Sequence, residues 1–223
     1  DWGQYGHGAA LASVGLALAG VVHTVFIPST SAFVELRPWG SHPALDPLWS
    51  TEQVEFVYDG GEARRDEKIR FIASSAAALQ SLRVCWENRA GAYNCGRCEK
   101  CLRTMIELQL CGALDRTGQF PRVIPAADVR QLTISENCRK YWRRMLDHRH
   151  ELGNQDLVDA IQVALRRSAA AGSASAKVRA AVARRLSHIG LTKGRIQEMD
   201  RRLFGGSLEQ LLKRVQGRAA SIR

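Results

Sequence analysis

The chain has 223 residues, 45% hydrophobic and 24% charged, with a formal net charge of +10. That balance excludes wholesale disorder, collagen-like repeats and a multi-span membrane protein, and it allows one good core plus a smaller unit. The charge is uneven: residues 1–111 carry 10 basic and 12 acidic side chains, whereas residues 112–223 carry 22 and 10. The positive charge therefore belongs to the second half, and it suits an acidic partner.

The sequence opens on Asp1, which points to a processed chain or to a piece of a longer one. No Asp, Glu, Lys or Arg occurs between Trp2 and Val34. The apolar run 9–22 is nevertheless shorter than the ~20 residues of a spanning helix, and no basic segment precedes it. A buried helix over 5–20, with Leu11, Val14, Leu18 and Val21 at helical spacing, and a strand over 21–27 closed by Pro28 are expected instead. A membrane partner is not expected, and the location is read as cytoplasmic.

Residues 28–47 hold four of the six prolines, so they form a long loop of the kind that carries function. Ser29, Thr30 and Ser31 lie just past a strand's carboxyl end, where open α/β sheets bind ligands. Ser41, His42 and Asp46 are candidate substrate-binding residues, with His42 able to carry a proton. Ordinary loop chemistry is the alternative for all six.

Residues 50–53 read as a capped turn, 54–58 as a strand, and 62–73 as a helix with Ile69 and Ile72 inward. Arg65 and Lys68 lie one turn apart on that helix, either as cations for a ligand or as a solvated face paired with Glu62 and Glu67. A last strand is expected over 81–84. A helix follows over 99–111, its apolar face made by Leu102, Met105, Ile106 and Leu110, with Gly112 as its stop. This order predicts an α/β protein with a parallel sheet over 1–112.

Beyond Gly112 the expectation is a linker over 119–125 and helices over 130–152 and 156–167. A break over 168–175 comes next, then helices over 177–189, 196–204 and 208–215. Residues 113–223 would thus form a basic, all-helical appendage.

The strongest signal is Cys85-x9-Cys95-x2-Cys98-x2-Cys101. Two-residue gaps let tight turns present sulfurs to one ion, and four thiolates are the donor set of a closed, structural zinc site. Gly96 relaxes the backbone where it wraps the metal, and Cys101 lies near a helix start whose dipole favours a thiolate. Arg97, Lys100 and Arg103 offset the charge. Two disulfides, buried thiols and an iron–sulfur cluster are the alternatives. Adjacent two-residue gaps would strain a pair of disulfides, and a polar loop is a poor place to bury four thiols. Cys111 and Cys138 read as packing residues.

The runs Val84-Cys85-Trp86-Glu87-Asn88 and Asn94-Cys95-Gly96-Arg97-Cys98-Glu99-Lys100-Cys101 resemble the zinc loop of the 7-cyano-7-deazaguanine synthase family. That family lies within the PP-loop ATP pyrophosphatase (adenine nucleotide alpha hydrolase-like) superfamily. Gly40-Ser41-His42-Pro43, Asp46-Pro47-Leu48 and residues 62–72 also resemble its substrate-side loop and following helix, so the likeness covers about residues 5–112. The resemblance implies a nucleotide-hydrolase-like domain that uses ATP and Mg2+ to adenylate a carboxylate or base carbonyl, with ammonia or sulfide then displacing AMP. The substrate would be a small molecule or a nucleobase. The superfamily's Ser-Gly-Gly-x-Asp-Ser loop is absent here; Gly3–Gly8 is glycine-rich but lacks the Ser and Asp. The resemblance therefore implies a C-terminal portion whose ATP loop lies before Asp1, or a paralogue that kept the metal and lost the chemistry.

A second function class is a zinc-stabilised, non-catalytic binding module. Residues 166–223 carry 14 basic and 3 acidic side chains, suited to nucleic acid or to a protein partner. Phe204 is the one aromatic there that could stack on a base.

Overall fold

The computed structural model describes residues 2–188, with side chains described through residue 173 apart from Ala90. It is mixed α/β and mostly helical, with a small two-stranded parallel sheet and a four-cysteine cluster. The chain divides into two compact units, Asp1–Leu165 and Arg166–Arg223. Among the described residues, no helix is long and apolar enough to cross a membrane.

A π-turn over Trp2–Gly6 leads into α1 (His7–Ala17), an alanine- and glycine-rich helix that can approach a sheet closely. Gly15 permits that approach: a Cβ there would lie 2.8 Å from the Phe56 ring. Strands β1 (Thr24–Pro28) and β2 (Glu55–Asp59) pair in parallel, Thr24 opposite Glu55 and Pro28 opposite Asp59. Ala12, Ile27, Val54 and Phe56 form a small core between helix and sheet. A helix and both strands form, but the helix turns its small residues Gly8, Ala12 and Gly15 inward and leaves the expected apolar positions Leu11, Val14, Leu18 and Val21 exposed, because the close approach to the sheet has no room for larger side chains. The first strand starts at Thr24 rather than at residue 21, and the expected turn at 50–53 is held by Thr51 Oγ1 accepting the Val54 N–H at 3.2 Å.

The larger core gathers residues from Ile69 to Ala164 and has α4 (Glu99–Leu110) at its centre. Every residue of α4 from Cys101 to Leu108 is buried, so this helix is enclosed on all sides rather than on its one apolar face. Gly112, at φ +58°, ends it as its position suggested. Around α4 pack α2 (Arg65–Ala73), α6 (Glu136–Asp147) and the first turns of α7 (Gln155–His188). α3 (Ala76–Ser81) and α5 (Ala126–Gln131) complete the shell. This core runs well past the change of composition at residue 112.

Three further local expectations are corrected. Ser81 ends α3 instead of opening a strand, and residues 82–84 are extended without joining a ladder. The Val84 N–H that would pair in a sheet is taken by the Asn94 side chain. The helix expected over 130–152 is divided into α5, α6 and a 3₁₀ turn over Arg149–Leu152. Finally, α7 continues through the expected break at 168–175, because four alanines there favour helix more strongly than Gly172 opposes it. The helices expected over 196–204 and 208–215 lie outside the described residues.

Candidate metal centre and the adjoining basic cavity

The Sγ atoms of Cys85, Cys95, Cys98 and Cys101 all lie within 4.8 Å of one another. The Cys85–Cys98 and Cys95–Cys101 separations are both 3.9 Å. A tetrahedral ion with metal–sulfur bonds of about 2.3 Å requires sulfurs about 3.8 Å apart. No pair is bonded as a disulfide, so the donor set fits a single metal ion.

Each ligand is placed by a distinct local device. Cys98 caps α4, and Cys101 sits in its first turn. Gly96, at φ +68°, turns the chain between the first two ligands of the run. The Cys98 N–H then donates to Cys95 Sγ at 3.3 Å, a contact that steadies a thiolate. Cys85 arrives from the other side of the loop. Asn94 holds it there: its buried Oδ1 accepts the N–H groups of Val84 at 3.0 Å and Cys85 at 3.1 Å. The Asn94 amide donates in turn to the carbonyls of Leu82 at 2.8 Å and Gln119 at 3.3 Å.

Burial pushes the Cys98 thiol up to about 11, with hydrogen bonds to Cys101 opposing this and Cys95 adding to it; burial raises Cys101 as well, with Cys98 and Cys95 adding to it. Burial also opposes ionisation of Cys85, but backbone hydrogen bonds around Cys95, Asn88 and Glu87 outweigh it and bring that thiol down to about 6. A bound cation would favour the thiolate form of the two buried cysteines that burial alone holds protonated.

Beside this cluster, beyond the carboxyl ends of both strands, lies a cavity of about 710 Å³. Ser29, Thr30 and Ser31 line it from the segment after β1, and Ala63 from the segment after β2. Six Lys and Arg side chains converge on it: Arg37, Arg65, Lys68, Arg83, Lys100 and Arg103. Among the described residues the single carboxylate on its wall, Glu35, is already engaged by Lys140 at 2.7 Å and by Arg144. The cavity can neutralise an anion of several charges, at the edge where parallel α/β sheets take ligands.

The cavity and the cluster share their framework. Arg83 and Val84 lead into Cys85, while Lys100 and Arg103 flank Cys101. Arg103 pairs with Glu99 at 3.5 Å and lies over the Tyr141 ring, Lys100 faces Trp86, and Arg97 pairs with Asp128 at 3.6 Å. The three cations expected to offset the thiolates thus have carboxylate or ring partners in the structure.

The sequence candidates fall into two groups. Arg65 and Lys68 share the cavity with Ser29–Ser31. Arg65 Nε lies 3.0 Å from both Glu107 carboxylate oxygens, and its Nη2 reaches Thr104 Oγ1 at 2.9 Å, which anchors α2 to α4. Lys68 donates to the Ser29 carbonyl at 3.2 Å and also to its hydroxyl. Burial lowers the Lys68 ammonium below the ordinary lysine value; Glu62 and Asp59 oppose this and Arg65 adds to it.

Ser41, His42 and Asp46 come together elsewhere. The buried Asp46 accepts the Ser41 hydroxyl at 2.7 Å and the His42 N–H at 3.2 Å, and the Ala44 N–H donates to His42 Nδ1 at 3.1 Å. These residues brace their own loop and do not line the cavity.

Sequence reasoning passed over Arg37, Arg83 and Asn94 as functional positions. Only the flanking of Cys85 by Arg83, and of Cys95 by Asn94, carried a signal. Comparison with protein-family models, curated proteins and solved structures found no match.

Proposed function

We propose that this chain is the zinc-bearing portion of an ATP-dependent enzyme of the PP-loop ATP pyrophosphatase class. Such an enzyme adenylates a carboxylate or base carbonyl for attack by ammonia or sulfide. The observation that carries the reading is the cation-lined cavity at the carboxyl edge of two parallel strands, built on the same segments as a four-cysteine cluster.

Zinc suits the cluster because four thiolates satisfy its coordination and leave no open position, which makes the ion structural. Arg65, Lys68 and the Ser29–Ser31 segment suit phosphate oxygens whose charge grows during adenylyl transfer. Arg65 is held rigidly by Glu107, so it would meet that charge without reorganising. Mg2+ would accompany ATP. The Ser-Gly-Gly-x-Asp-Ser loop that the class uses would come from sequence outside these 223 residues.

Two measurements test the reading. The complete coding sequence should contain a strand followed by that loop, and its product should release AMP and pyrophosphate from ATP when an acceptor and ammonia are supplied. A start codon close to Asp1 would overturn ATP chemistry for this chain and leave a zinc-stabilised binding module. The partner expectation for residues 166–223 rests mostly on residues outside those described.

A further inference from the structure

We infer that the outer face of the cysteine loop is a stacking platform for unpaired nucleotides, so that single-stranded nucleic acid is a ligand of this protein. The inference goes beyond the ATP reading and stands without it. It starts from Trp86, which is 72% exposed although it directly follows the ligand Cys85. Lys100, directly before the ligand Cys101, holds its ammonium 6.0 Å from the Trp86 ring centroid. An indole and a cation are thus each fixed at the backbone by a neighbouring thiolate ligand. A rigid, exposed aromatic beside a cation is what base stacking with backbone neutralisation requires.

The surroundings extend that chemistry. Trp86 and Lys100 line a cavity of about 510 Å³ together with Trp2, itself 66% exposed. This cavity shares Trp2, Lys100 and Ser135 with the larger basic one. The two cavities therefore adjoin at these residues, the smaller one carrying the exposed rings and the larger one the cations. Each alone is of the size that takes a whole small ligand, so the two together offer room for more than one mononucleotide. Tyr93, 47% exposed on the same loop, lies under Arg83 at 5.1 Å.

The carboxylates here are engaged within the protein. Glu87 pairs with Arg89 at 2.5 Å, and Glu99 accepts the Trp142 indole N–H at 2.8 Å. Among the described residues, Arg37, Lys68, Arg83 and Lys100 make no ion pair with a carboxylate. An acidic peptide would satisfy these cations but leave the exposed rings unused. A single strand uses both.

The test is fluorescence anisotropy of the full 223-residue, zinc-loaded chain with a labelled single-stranded RNA of about twelve nucleotides. The same sequence as DNA, the matching duplex, AMP and inorganic pyrophosphate serve as comparisons. Single strands should bind more tightly than duplex or AMP. Trp86→Ala should weaken single-strand binding about tenfold, with Trp86→Phe recovering most of it. Zinc content and the circular dichroism spectrum should stay unchanged, since the ring is exposed. Lys100→Ala should lessen the salt dependence. Equal affinity for duplex, together with an unchanged affinity in Trp86→Ala, would overturn the inference and assign binding to the basic residues 166–223. AMP binding as tightly as the oligonucleotide would overturn it too. ATP turnover enters none of these measurements, so the outcome is separate from that of the enzymatic reading.

Discussion

The side-chain carbonyl of Asn94 accepts the backbone N–H of Cys85 at 3.1 Å, so the residue just before the second ligand fixes the first. The same oxygen takes the Val84 N–H, and the amide nitrogen bonds the Leu82 carbonyl. One buried side chain therefore substitutes for the strand pairing that residues 82–85 lack. Asn94→Ala should leave two backbone donors unmet and cost about 2–3 kcal/mol. It should also weaken metal binding by releasing Cys85. Thermal unfolding and zinc competition against a chromophoric chelator would measure both. Wild-type zinc affinity in that variant would show that Cys85 is placed by other means.

Gly96 supplies the turn at which the chain wraps the cluster. Its φ is +68°, and a Cβ there would meet Pro121 Cγ at 2.8 Å and Cδ at 2.9 Å. Pro121 is a ring, so it has little freedom to yield. Gly96→Ala should combine left-handed strain with overpacking and cost about 2–4 kcal/mol. Denaturant titration would read this, and a loss below about 0.5 kcal/mol would show that the turn relaxes freely.

What the sequence made legible was chemistry with a spacing rule. The cysteine pattern named the four residues whose sulfurs cluster, and the helix period named Leu102, Met105 and Ile106, all fully buried. The basic cavity had no such rule. Arg37 comes from an irregular loop, Arg83 from the segment before Cys85 and Arg65 from a helix start, and only the tertiary fold brings them together. The strand expected over 81–84 was misread for a related reason. An apolar, extended segment looks alike whether its N–H groups meet a neighbouring strand or the Asn94 side chain. Ser41, His42 and Asp46 had polar residue types consistent with a site, yet they satisfy one another.

Metal removal should reach the cavity as well as the fold. Arg83, Lys100 and Arg103 are tied by sequence to Cys85 and Cys101, so a released loop lets three of the six cations drift. Chelation should lower the thermal midpoint and weaken inorganic pyrophosphate binding at least about tenfold, because the charges are no longer held in place. By linkage, pyrophosphate should slow zinc loss to a chelator. Calorimetry with and without the metal decides this; equal pyrophosphate affinity in both forms would separate the two sites.

Arg65 and Lys68 should respond differently to substitution although one helical turn separates them. Arg65 grips Glu107, whose side chain is 7% exposed. Arg65→Ala leaves that buried carboxylate unpaired and should cost about 3–5 kcal/mol, and Lys cannot restore the two-point contact. Lys68 is held by Ser29 without an ion pair. Lys68→Ala should therefore leave the thermal midpoint nearly unchanged while weakening pyrophosphate binding. A large loss of stability in Lys68→Ala would make it a structural residue like Arg65.

Glu35 should give the fold a specific acid sensitivity. Burial raises its carboxyl, but hydrogen bonds from Lys140 and Arg144, reinforced by their charges, hold it below its ordinary value of 4.5. The unfolded chain therefore binds the proton more readily, so the stabilisation is complete above 4.5 and is lost as pH falls through the folded-state value. This interaction ties the loop after β1 to α6, two segments that are remote in sequence. Glu35→Gln should cost about 1 kcal/mol near neutral pH, where the pair is intact and partly screened by solvent. As pH falls below 4.5 and through the folded-state value the difference should shrink, because the wild-type carboxyl then becomes neutral as well. Urea denaturation of both proteins across that range measures the convergence. A difference that stays constant with pH would mean that Glu35 acts through packing rather than through charge.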